Sequence, residues 1–89
     1  MGKHVLVPKN ISYMTKMDSY VYNRNYPVTK NFEKKSTAVA FIKRALKIYP
    51  YVKIILYKEK GNVMKPVETW KMARNKRGGL SPRSMGYNG

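Results

Sequence analysis

Between residues 36 and 49 the apolar side chains fall at a helical spacing. Ala38, Phe41, Ile42, Ala45, Leu46 and Tyr49 lie at i, i+3, i+4, i+7, i+8 and i+11, which is one face of a 3.6-residue period. Ser36 stands where an N-cap hydroxyl is expected to accept from an orphan N–H of the first turn. Pro50 biases the preceding residue out of helix. A helix is predicted over residues 36–49.

The pattern then changes period. Residues 52–58 (Val-Lys-Ile-Ile-Leu-Tyr-Lys) are β-branched and aromatic and predict a strand, with Val52, Ile54 and Leu56 turned toward the helix. Glu59-Lys60-Gly61-Asn62 reads as a hairpin loop in which Gly61 or Asn62 takes positive φ. The return strand is predicted over residues 63–72, with Pro66 making it an edge or interrupting it. Trp70 is placed as a cap on the core. Upstream, residues 19–26 carry Tyr20, Tyr22 and Tyr26 on one parity with Arg24 and predict a strand that Pro27 ends. His4–Val7 is a candidate for a further short strand, and residues 9–18 show no clear period. The resulting expectation is an α+β fold: one small domain of order β-β-α-β-β, with an amphipathic helix packed on a small antiparallel sheet.

From Arg74 onward the texture differs. This stretch holds four basic residues, four glycines and no acid, with Leu80 and Met85 as isolated large aliphatics. It reads as a flexible basic tail, residues 74–89, following a compact domain over residues 1–73.

Charge sharpens this picture. In 89 residues there are 19 Lys and Arg against 4 Asp and Glu, a formal net charge of +15. Residues 1–73 alone carry 15 of the basic residues and all four acids, so the predicted domain is strongly basic without its tail. Lys43, Arg44 and Lys47 fall on the polar side of the predicted helix, and no acid lies between Glu33 and Glu59. Lys43 and Lys47 are four residues apart and repel, so this face departs from the usual mixture of signs on a protein surface. Lys34 and Lys35 precede Ser36 at the positive end of the helix, where cations are locally unfavourable; with the first-turn N–H groups they suit an oxyanion such as phosphate. Tyrosines interleaved with Lys, Arg and Asn add a way to stack unpaired bases, for which Tyr20, Tyr22 and Arg24 are the candidates. Arg74, Lys76 and Arg77, followed by Gly78-Gly79, make a basic segment able to track a phosphate backbone.

Other classes fare poorly. There is no cysteine, which removes disulfides, thiolate zinc sites and a Cys nucleophile. One histidine and four scattered carboxylates offer no metal-ligand spacing and no acid–base pair, so no cofactor, metal or catalytic residue is expected. No apolar run approaches a membrane span, and the N-terminus lacks a leader's apolar core; the expectation is a cytoplasmic protein with no membrane partner. The sequence therefore points to a nucleic-acid-binding protein, for DNA or RNA, that works mainly through phosphates. The alternative is a small basic inhibitor or accessory protein, of the type found in phages and mobile elements, that binds an acidic protein surface. A metal-independent ribonuclease toxin using Lys, Arg and Tyr is the remaining reading.

Overall fold

A computed structural model describes residues 11–19 and 23–87. In chain order the elements are β1 (Tyr13–Met17), β2 (Thr29–Phe32), α1 (Lys35–Ile48), β3 (Ile54–Lys60), β4 (Val63–Arg74) and β5 (Leu80–Gly86). The strands form one antiparallel sheet in the order β2-β1-β3-β4-β5. The single helix packs on one face of it. This is the expected α+β architecture, with one strand more than the sequence suggested.

The core lies where the periodicities place it. Ala38, Phe41, Ile42, Ala45 and Leu46 of α1 are buried against Val52, Ile54 and Leu56, with Met17 and Trp70 closing the cluster. Burying a Leu or Ile side chain contributes about 1.5–3 kcal/mol, so this one cluster carries the hydrophobic driving force of a small domain. Tyr26 and Phe32 extend it along one flank of α1, their rings 5.5 Å and 5.4 Å from that of Phe41.

The β3–β4 hairpin turns as its sequence implies. Gly61 and Asn62 both take positive φ, +59° and +71°, the pairing a two-residue type I′ turn requires. Pro66 does interrupt the ladder: the register slips between Leu56 and Tyr57, so that Leu56 faces Glu68 and Tyr57 faces Pro66. The extra residue, Val67, forms a bulge that accommodates a residue without an N–H. β4 is an edge only over its first part, because β5 pairs with it from Glu68 to Arg74.

Three expectations are corrected. The predicted strand at residues 19–26 is not a strand where it is described: Asn23–Tyr26 is a turn, closed by the Tyr26 N–H on the Asn23 carbonyl (3.0 Å) and the Asn25 N–H on Asn23 Oδ1 (2.9 Å). Asn favours such side-chain-closed turns. Tyr20, Tyr22 and the candidate strand at residues 4–7 lie outside the described residues. The strands before the helix are instead β1, within the stretch 9–18 that shows no clear period, and β2, between Pro27 and the helix where no element is expected. β1 does alternate, with Thr15 and Met17 buried and Lys16 exposed, but a threonine in the core hides the pattern from a hydrophobicity count.

The second correction concerns the helix start. Lys34, not Ser36, is the N-cap residue, and no side chain caps it. Ser36 is exposed in the first turn, and Thr37 Oγ1 donates back to the Lys34 carbonyl (2.9 Å). A tertiary tie replaces the cap: Lys35 Nζ lies 2.9 Å from Glu68 on β4.

Third, residues 74–89 are not a flexible tail as far as Tyr87. They continue β4, turn, and return as β5. Gly78 (φ +96°) supplies the left-handed position the turn needs. The Asn75 N–H donates to the Gly79 carbonyl (2.7 Å), the Gly78 N–H to the Asn75 carbonyl (3.0 Å) and Ser81 Oγ to Asn75 Oδ1 (2.8 Å). Low hydrophobicity made this segment look disordered, but backbone pairing to a strand already held by the core is enough to order it.

Candidate functional site

The basic residues of the described chain are all solvent-exposed, and among the described residues the one salt bridge is Lys35–Glu68. The acids explain this. Asp18 Oδ1 accepts from the Lys53 N–H (2.9 Å) and from Ser19 Oγ (3.3 Å), fastening the end of β1 to the entry of β3. Glu59 Oε2 accepts from the Asn62 N–H (2.9 Å) across the hairpin turn. Glu68 Oε1 accepts from Trp70 Nε1 (2.8 Å) and Ser84 Oγ (3.1 Å), while Oε2 meets Lys35. Three of the four acids thus serve the fold, and the positive surface is left almost unneutralised.

Glu68 and Lys35 also titrate as a tied pair. Partial burial pushes the Glu68 carboxyl up, but hydrogen bonds from Lys35, Trp70 and Ser84, together with the Lys35 charge, outweigh it and hold the group below its usual range. The hydrogen bond to Glu68 and its charge raise Lys35 in turn, against a small desolvation effect. Lys35 is therefore committed to Glu68, and the predicted pair of free ammonium groups at the helix start reduces to Lys34.

The remaining predicted residues fall into two groups. Lys43, Arg44 and Lys47 stand exposed on α1, away from its buried stripe. Lys43 leans toward β4, its ammonium 5.9 Å from the Trp70 ring centroid, a cation–π distance. Arg24 is exposed on a turn at the end of α1, a placement the sequence did not suggest. Its turn docks on the end of α1, where Asn23 Nδ2 donates to the Tyr49 hydroxyl (2.8 Å) and the Tyr26 and Tyr49 rings meet edge-on at 6.1 Å.

The second group is the β4–β5 hairpin. Arg74 ends β4, Lys76 and Arg77 sit in the loop, and the structure adds Lys71 and Arg83, directly opposed across the ladder. These two were missed because one was assigned to a hydrophobic strand and the other to a tail. The available signal was Gly78-Gly79 between two segments of similar length, a pattern that reads as a hairpin. Beyond Trp70 the hairpin has only two strands, since the last β3–β4 pair is Ile54 with Trp70. It extends as an arm past the rest of the sheet.

The sheet face away from α1 carries Met14, Ile55 and Tyr57 toward its middle, with Lys16, Lys71 and Arg83 about them, as the pairing register requires. Among the described residues no group of three His, Asp or Glu side chains is placed to hold a metal ion, and no helix is long and apolar enough to cross a membrane. No family model, curated protein or solved structure matches this chain.

Proposed function

We propose that this protein binds nucleic acid, principally through phosphates. The observation that carries the reading is the distribution of charge: every basic side chain in the described chain is exposed, one is paired with an acid, and three of the four acids are engaged inside the fold. A surface of this kind displaces the counterions condensed on a polyanion, and their release drives association. It does little for stability, because like charges at this density repel. The helix face of Lys43, Arg44 and Lys47 and the hairpin with Arg74, Lys76 and Arg77 are the two contact regions, with Arg24 a further exposed cation on the turn at the end of α1.

Titration of the full chain with single-stranded RNA, single-stranded DNA and duplex DNA at two salt concentrations tests it. Contact with about six phosphates on a duplex gives log affinity against log salt a slope of about −5. Absence of binding to all three at low salt overturns the reading and favours an acidic protein surface as the partner. Cleavage of the RNA in the presence of a chelator would instead favour a metal-independent ribonuclease.

A further inference from the structure

We infer that the β4–β5 hairpin is a ribbon that enters the major groove of B-form DNA; this rests on the nucleic-acid reading above and narrows it to one substrate class. The shape fits. From Lys71 to Arg74 each strand of the arm runs four residues past the last pair with β3, with Met72 at its root still packed against the core; this is about 13 Å at about 3.3 Å per residue, with the strands about 4.8 Å apart. The major groove of B-DNA is about 12 Å wide and 8.5 Å deep and admits a two-stranded ribbon. The full five-stranded sheet is too broad to enter.

The chemistry of the arm matches the same site. Residues 71–83 contain Lys71, Arg74, Lys76, Arg77 and Arg83, and no acid follows Glu68 in the chain. Lys71 and Arg83 are direct cross-strand partners, an arrangement that destabilises a ladder unless an anion lies between or beside the two. Arginine at the tip can approach guanine O6 and N7, the commonest specific contact in that groove, and lysine can take either these or a phosphate. The loop is built rather than loose: its two backbone hydrogen bonds and the Ser81–Asn75 contact fix the tip before any ligand arrives, so little ordering entropy opposes docking.

Other nucleic acids suit the arm less well. Residues 71–83 hold no aromatic side chain, so the arm offers unpaired bases no stacking platform. The A-form major groove of duplex RNA is too deep and narrow for side chains to read.

The test uses the full chain with four probes of equal length: duplex DNA, the same duplex with glucosylated 5-hydroxymethylcytosine, duplex RNA and single-stranded DNA. Glucose on the base fills the major groove and leaves the phosphates unchanged. The expected result is binding to plain duplex DNA at least about tenfold tighter than to each of the other three, the equivalent of losing one base-edge contact. The triple variant Arg74→Ala/Lys76→Ala/Arg77→Ala is expected to bring plain and glucosylated duplexes to equal affinity. Lys43→Ala/Lys47→Ala should weaken both alike and preserve their ratio. Equal affinity of the wild-type protein for plain and glucosylated DNA overturns the inference while the nucleic-acid reading stands. So does tightest binding to RNA or to a single strand. Binding to none of the probes overturns the nucleic-acid reading itself. The probe comparison is made on wild-type protein, so it decides the matter even if the triple variant misfolds.

Discussion

Glu68→Gln isolates the one ion pair that ties the helix to the sheet. The carboxylate sits at the meeting of three elements: α1 through Lys35, β4 through Trp70, and β5 through Ser84. Glutamine keeps an acceptor oxygen for Trp70 and Ser84 and removes the charge. Lys35 has half its side chain exposed (51%) and Glu68 about a fifth (21%), so solvent screens the pair and the Coulombic part is about 0.5–1 kcal/mol. Weakening two charge-assisted hydrogen bonds to neutral ones adds a comparable fraction, for a total of about 1 kcal/mol at neutral pH. For a domain of this size that lowers Tm by about 4–8 °C. The pH dependence follows from the shifts. Glu68 is depressed when folded, so its stabilisation is present above its ordinary value of 4.5 and is lost as pH falls through the folded value. Lys35 is raised, so its share is present below 10.5 and is lost as pH rises through its folded value. Urea unfolding of the wild-type and variant proteins should therefore differ by about 1 kcal/mol near pH 7 and converge at acid pH, as the pH falls through the folded value of Glu68 and the carboxylate becomes protonated in both states. A difference of unchanged size at both pH values would refute the reasoning, since it would mean that packing, not charge, separates the two proteins.

Two further substitutions probe separate features. Thr15 is fully buried in β1 and its Oγ1 has no hydrogen-bond partner; Thr15→Val removes that unsatisfied group at equal volume and should raise stability by about 1 kcal/mol, read as a higher urea midpoint. Gly78→Ala places a side chain at φ +96° in otherwise open space, so about 1–3 kcal/mol of backbone strain falls on the hairpin loop alone; amide exchange should quicken at residues 75–81 and remain unchanged in α1.

Legibility followed the source of each element's stability. The helix, β3 and the type I′ hairpin were readable because local pattern and tertiary role agree there: the side chains with the clearest periodicity are those that fill the core. β1 was missed because its central inward residue is Thr15, which scores as polar, and β2 because it has four residues and a mostly exposed side-chain pattern. β5 was missed for a different reason. Its seven residues are mostly exposed, and it is held by hydrogen bonds to β4 and by Ser84 on Glu68, neither of which leaves a hydrophobic trace. Of the candidate site, the identity of the basic residues was legible and their grouping was not. Arg24 is carried to the end of α1 by the contacts of Asn23 and Tyr26 with Tyr49, and Lys35 is withdrawn from the free surface by a residue thirty-three positions later.

That withdrawal bears on why the charge is there. Had the positive residues served stability, acids would be expected beside them. Instead Asp18 and Glu59 bind backbone N–H groups, and Glu68 bonds Trp70 and Ser84 as well as Lys35. The acids act first as hydrogen-bond acceptors at joints of the fold. Lys58 facing Lys65 and Lys71 facing Arg83 then place like charges opposite one another in both hairpins of β4, each costing up to about 1 kcal/mol. A domain with a net stability of only about 5–15 kcal/mol carries such pairs at a measurable loss. The two pairs lie on opposite faces of the sheet, because the bulge at Val67 reverses the alternation along β4; an anion laid against the face of Lys71 and Arg83 reverses the sign of that pair, so that what strains the free protein becomes its contact and binding restores there what self-repulsion removes.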